Sequence, residues 1–241
     1  MKALEHQDES IYYNIGHCLT DMGYASRALE YLNQSLAIAN SKNNHDTVYT
    51  RYFIAENYVY TGRATEALEM LTNCLRDEKA KKDKDRTVAT IQCRIGRAYA
   101  YLGNHKTALA EYEKIRKLTR FKSKLPPHVI YFKAISLNGC NRKTEALQCI
   151  DEGIIDSIDG SNINIALRTI KCLYTINQSD SVLSLINELI PSLISFEHNF
   201  LLIQCYEELH KHFSRTSTKV ALDYLTKAYL LSEKLRKGDF E

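Results

Sequence analysis

Arg94 and Arg97 stand three residues apart, so on a helix both guanidinium groups leave one face and together could hold a carboxylate. Asn14 carries an amide that can bond the N–H and the C=O of a peptide unit together. The chain is rich in phenol rings, with 16 tyrosines and no tryptophan. Tyrosine presents a broad apolar face at little rotamer cost and a hydroxyl for a backbone group, and with arginine it is enriched in binding hot spots. Glu56 and Asp21 are acids that would favour a basic side chain or an amino terminus. These residue types suit noncovalent recognition of an extended chain.

Catalysis asks for convergent polar groups in a closed pocket, and the spacings here do not supply them. His210 and His212 are two apart and point to different sides of a helix, while Glu207 and His210 have a metal-carboxylate spacing with no second copy to complete a site. There is no HExxH, no GxSxG and no GxG phosphate loop. The expectation is a protein that is not an enzyme and has no cofactor or metal. The seven cysteines, an odd number without a CxxC, read as buried reduced thiols. A net charge of +3 is too mild to imply nucleic acid, and no recognition-helix pattern is present. The basic run Lys114, Arg116, Lys117, Arg120, Lys122 and Lys124 reads as a solvated helix end, with an acidic partner surface as the alternative. The mixed run from Asp77 to Arg86 reads as an exposed helix end and loop. Met1 to Ser10 is polar without an apolar signal core, and no apolar run approaches the roughly 18 residues that span a bilayer. A cytoplasmic protein without membrane contact is expected.

The elements that must position these residues come from an internal repeat. The dipeptide Ala-Leu recurs at Ala28-Leu29, Ala67-Leu68, Ala108-Leu109 and Ala146-Leu147, a period of about 40 residues, which is the mark of stacked helical hairpins. Aligned on those alanines, Gly16, Ala55, Gly96 and Ala134 fall at position 8 of each repeat, where a small residue lets two helices approach. The large apolar residues Leu32, Leu71, Tyr112 and Ile150 fall at position 24, beside that contact. Gly23, Gly62, Gly103 and Asn141 fall at position 15, where the first helix must stop in a left-handed conformation.

This pattern resembles the tetratricopeptide (TPR) repeat, W-x2-L-G-x2-Y followed by A-x3-F. Departures are plain: no position-4 tryptophan, no closing proline, and Lys133 at an apolar position. The resemblance implies an all-α, right-handed superhelical solenoid of about six helical hairpins. One solenoid domain over residues 1–241 is expected, with clear repeats over 9–155 and degenerate C-terminal hairpins over 161–237. In the latter, 163–175 and 182–193 read as one hairpin joined by a turn at 177–180, and 199–213 with 219–236 as another. The apolar segment Leu183 to Ile194 reads either as an internal layer or as the surface of a homodimer.

In each first helix, positions 2, 6, 9 and 13, with 5 beside them, lie opposite the packed stripe. The TPR resemblance implies that this face lines a concave groove. The candidate peptide-binding residues are then Tyr13, Asn14 and His17 in the first repeat, Tyr49, Tyr52, Phe53, Glu56 and Tyr60 in the second, Arg94, Arg97 and Tyr101 in the third, and Tyr131 in the fourth. The alternatives are salt bridges from the arginines to Glu56 or neighbouring acids, and packing of the rings on adjacent repeats.

The stretch Tyr13-Asn14-Ile15-Gly16-His17-Cys18 and the long repeat resemble the sensor domains of bacterial peptide-pheromone regulators of the RRNPP group (Rap, Rgg, NprR, PlcR and PrgX relatives). That resemblance implies a short signalling peptide as ligand, with groove asparagines on its backbone. Only Asn14 matches at position 6, where Phe53, Arg94 and Phe132 stand in the other repeats. In that group an effector module precedes the repeats, so a first repeat near residue 10 fits either an excised sensor domain or a free-standing module. The alternative function is a general TPR adaptor that docks a partner protein's tail or helix.

Overall fold

The computed structural model describes residues 8–42, 47–79, 85–121 and 123–237, and among these it contains helices and turns but no strand. The stretch before Asp8, the middle of the mixed run and Lys122 lie outside the described residues. The chain divides into two compact units that meet in sequence at Leu125 and Pro126.

The first unit stacks three hairpins: α1 (Glu9–Asp21) with α2 (Ala25–Ser41), α3 (Val48–Tyr60) with α4 (Ala64–Lys79), and α5 (Asp85–Tyr101) with α6 (His105–Arg116). The second unit holds α7 (Pro127–Gly139) with α8 (Lys143–Asp156), α9 (Asn162–Tyr174) with a helix interrupted between α10 (Ser179–Ser184) and α11 (Ile190–Ser195), and α12 (Asn199–Phe213) with α13 (Thr218–Lys237). The all-α solenoid expected from the repeat is what forms.

The hairpin crossings follow from residue size. Ala28, Ala67, Ala108 and Ala146 are fully buried, and so, to within 1%, are Leu32, Leu71, Tyr112 and Ile150. A Cβ on Gly16 would sit 2.6 Å from Leu32 Cγ, and one on Gly96 would run into the Tyr112 ring. The two glycines therefore stand where the second helix lies closest. Gly23, Gly62, Gly103 and Asn141 all have positive φ. Each sits in the same closure, in which the next residue's N–H reaches back to the first helix, as Tyr24 N does to Leu19 O and Arg142 N to Leu137 O. Glu197 repeats it with φ 53°, donating through His198 N to Leu193 O, although its side chain gave no such signal.

Buried polar groups bind neighbouring repeats. Asn57 donates to Thr20 Oγ1 at 2.7 Å and to Phe53 O at 2.9 Å, which ties α3 to α1. Gln92, at the position where the repeat pattern has tryptophan, donates to the buried carboxylate of Glu111, so a polar pair replaces an aromatic anchor between α5 and α6. Between α10 and α11 the chain widens into a π turn over Leu185–Leu189. Pro191 lacks the N–H that would bond back one turn, and its ring crowds the carbonyl there, which accounts for the widened turn. Leu185, Leu189 and Leu193 are fully buried while Leu183 and Ile194 face outward, so the segment 183–194 supplies an internal layer. The helix starts at Ser179, so the turn expected at 177–180 falls slightly earlier.

Candidate functional site

All the candidate residues except Tyr131 lie on α1, α3 and α5, the first helices of the first unit, which pack side by side in order. Asp8 caps α1 by accepting from Ser10 N at 2.9 Å. From that start, Tyr13 and His17 face the α3 rings, and Asn14 follows Tyr13 on the same helix. Tyr13 meets Phe53 edge-on at 5.9 Å, and His17 lies 4.4 Å from Phe53. His17 Nε2 is also 3.4 Å from the Asp21 carboxylate one turn on. Phe53 touches Tyr52 at 4.7 Å, and Tyr52 meets Tyr49 at 5.5 Å. The rings form one continuous layer across two repeats.

Its polar centre is Glu56. Arg94 donates from Nε to Glu56 Oε2 at 2.9 Å, with its Nη2 ion-paired to the same oxygen at 2.9 Å, and Arg97 donates to Oε1. Arg94 also lies over the Tyr52 ring at 4.3 Å and the Phe53 ring at 5.1 Å, and Arg97 lies over Tyr60 at 4.5 Å. The two guanidinium groups thus hold an internal carboxylate, as in the salt-bridge alternative. Burial alone would push the Glu56 carboxyl up, but Arg94 and Arg97 outweigh it and hold it below the usual glutamate range. Burial pushes the Tyr13, Tyr52 and Tyr60 phenols up, so they stay protonated, and the Tyr60 oxygen accepts from Arg97.

Exposure separates the candidates into two sets. Tyr52 and Phe53 are only 6% and 4% exposed, so they form the backing of the wall rather than its open surface. Tyr49 and Tyr101 are 47% and 58% exposed, and Asn14 is exposed with no hydrogen bond to another described residue. Tyr131 lies in the second unit on α7, with its ring 5.0 Å from Phe132.

The second unit carries a cleft of about 490 Å³ that was not among the expected binding surfaces, although one of its lining residues, Glu207, stood out in the sequence for its spacing from His210. Ile170, Leu173 and Tyr174 of α9, with Ile135 of α7 and Ile176 beyond α9, give it an apolar floor. Asn138, Lys143, Asn177, Gln204, Glu207 and Glu208 supply its polar rim. Register was the obstacle: past residue 160 the repeat consensus fades, so no alignment placed α9 and α12 against the first-helix face. The sole hint was the crowding of carboxamides and acids at turns and helix ends.

Elsewhere the chemistry is quiet. Lys114 pairs with Glu111 at 2.6 Å and Arg116 with Glu113 at 3.7 Å, so part of the basic run has acids one turn back. No group of three or more His, Cys, Asp or Glu side chains among the described residues is arranged to hold a metal ion. No helix among the described residues is long and apolar enough to cross a membrane.

Stacked hairpins with small residues at their crossings form a solenoid of the tetratricopeptide-repeat type, and models of the tetratricopeptide repeat match residues 7–77 and 89–120. Within that class the fold resembles Rap and NprR. A Rap protein complexed with Competence and Sporulation Factor superposes with a TM-score of 0.76 at 15% identity, over 97% of this chain and 67% of that one. NprR in complex with its cognate peptide NprX gives 0.75 at 23% identity, over 95% and 66%. The apo form of the quorum sensor NprR from B. thuringiensis gives 0.69 at 25% identity, over 94% and 66%. This chain therefore spans about two thirds of the length of those structures. No curated protein matches it significantly by sequence.

Proposed function

We propose that this chain is the peptide-binding sensor part of a cytoplasmic bacterial quorum-sensing regulator, and that a short signalling peptide lies against the first-helix wall of the first unit. The observation that carries this reading is the wall itself: a ring layer backed by Tyr52 and Phe53, with Tyr49, Tyr101 and the unengaged Asn14 amide exposed on the same three helices. Such a surface stacks side chains and bonds a peptide unit with little reorganisation. NprR, whose fold the chain shares over 95% of its length, was solved with a cognate peptide. In this reading regulation of transcription passes through a partner or another module, without direct contact between these repeats and nucleic acid.

The test is a degenerate mixture of free peptides about five to ten residues long, added to the purified chain while thermal unfolding is followed, since a ligand bound only by the native state raises the midpoint. A rise that Asn14→Ala and Tyr49→Ala each reduce is expected. Binding only to a folded partner protein, with no response to any short peptide, would instead establish the adaptor role.

A further inference from the structure

Charge on the first-unit wall is already largely satisfied, because Glu56 occupies both arginines and His17 faces Asp21. The cleft of the second unit differs. α9 lies between α7 and α12, so the turn into α8 forms one side of the cleft and α12 the other. Lys143 stands on the first side as the opening residue of α8, where the helix dipole adds positive potential. Glu207 stands on the second. Neither has an ion-pair partner within 4 Å among the described residues; Lys211 holds the neighbouring Glu208 at 2.6 Å and interacts with Glu207 only at longer range. Three carboxamides, Asn138, Asn177 and Gln204, lie between these opposite charges and above an aliphatic floor.

A cleft of about 490 Å³ falls in the size range of small-ligand sites, which are mostly apolar with a few placed polar groups. Each part of the rim answers a different part of a peptide. Carboxamides bond peptide N–H and C=O groups, the floor takes an aliphatic side chain, and the separated charges fix which end of the guest is positive. An apolar small molecule would leave three amides and two charges unmatched, and a polyanion would meet Glu207 and Glu208.

We infer that this cleft is a second recognition site, which takes an aliphatic residue of a short peptide on its floor, a neighbouring lysine or arginine at Glu207, and a carboxylate at Lys143. The inference rests on the peptide-binding reading above, but it assigns charge selectivity to the second unit instead of to the arginine pair of the first.

The experiment uses the whole chain and a degenerate hexapeptide mixture with free termini. Retained peptides are separated by gel filtration and sequenced by mass spectrometry. The expected result is an enrichment of about tenfold for Lys or Arg next to Leu, Ile or Val, the scale of one charge-assisted hydrogen bond. Glu207→Gln should return that ratio to about one. Lys143→Gln should abolish the preference for free-acid peptides over the C-amidated mixture. Both positions are exposed, and an unchanged thermal midpoint of the unliganded variants verifies their folding. Peptides retained without a cationic bias, or with a bias that Glu207→Gln leaves intact, overturn the assignment of this cleft. If no hexapeptide is retained by wild type, the peptide-binding reading itself falls, and this inference with it.

Discussion

Glu56 on α3 accepts a 2.9 Å hydrogen bond from Arg94 Nε on α5, and the same carboxylate oxygen lies 2.9 Å from Arg94 Nη2 in an ion pair, while Arg97 takes the other oxygen. One acid of the second repeat thereby binds two cations of the third, and the pairing fixes the spacing of α3 and α5 as well as the orientation of the rings around it.

Removing that acid leaves two guanidinium groups with little solvent and only the more distant Asp21 as a counter-charge to Arg94. Glu56→Ala should destabilise the chain by about 3 kcal/mol or more, the usual consequence of breaking one side of a buried ion pair. Urea unfolding at pH 7 measures it as a lower midpoint. An unchanged midpoint would mean that water reaches the arginines freely.

The same pairing predicts a pH response with a definite sign. Because the folded-state pKa of Glu56 lies below its ordinary value of 4.5, its stabilisation is complete above that value. It fades as the pH falls from there through the lower folded-state pKa. The difference in unfolding free energy between wild type and Glu56→Gln should therefore be constant from pH 7 to about pH 5 and shrink only at more acid pH.

Gly96 and Tyr112 give a packing test. Gly96→Ala should cost about 1–3 kcal/mol, since the new methyl meets a fully buried ring. Ala55 and Leu71 occupy the equivalent positions of the second repeat, so Tyr112→Leu, which lacks the ring atoms that the new methyl would meet, should remove much of the clash. A double-mutant cycle by urea denaturation should show coupling above about 0.5 kcal/mol in the favourable direction.

Thiol reactivity should divide the cysteines by burial. Burial pushes Cys93 and Cys205 up to about 12 and Cys74 up to about 11, whereas Cys18 is exposed. Timed labelling with a thiol-specific disulfide reagent at pH 8 should modify Cys18 at once. Cys74, Cys93 and Cys205 should react only on unfolding.

At the wall, Asn14→Ala and Tyr49→Ala should weaken peptide binding and leave the unliganded protein within about 0.5 kcal/mol of wild type, because both side chains are open to solvent. Tyr52→Ala should lower both binding and stability, since that ring carries Arg94 on its face. Calorimetric titration beside urea unfolding separates the two effects.

Period and residue size were enough to read the hairpins. A small residue at position 8, alanine at 20 and a large apolar residue at 24 allow only a close helix crossing, and glycine or asparagine at 15 marks a turn that other residues resist. Those constraints are local, so they are legible in a linear string. The face bearing Tyr13, Tyr49 and Arg94 was legible for the same reason, since helical periodicity alone puts them on one side. Which of its members stay open was not, because burial depends on the neighbouring repeat. Phe53 is covered by Tyr13, His17 and Tyr52, which come from two different helices.

The sequence by itself therefore determined the all-α repeat, its helix stops and the set of residues sharing the first-helix face. Tertiary structure alone decided that Glu56 would claim both arginines, that Tyr52 and Phe53 would back the wall while Tyr49 and Asn14 stay exposed, and that α7, α9 and α12 would enclose a charged cleft. The reason is physical: turn type and helix periodicity depend on residues within a few positions, whereas ion pairing, ring stacking and clefts depend on groups that meet only after hairpins about 40 residues apart have stacked.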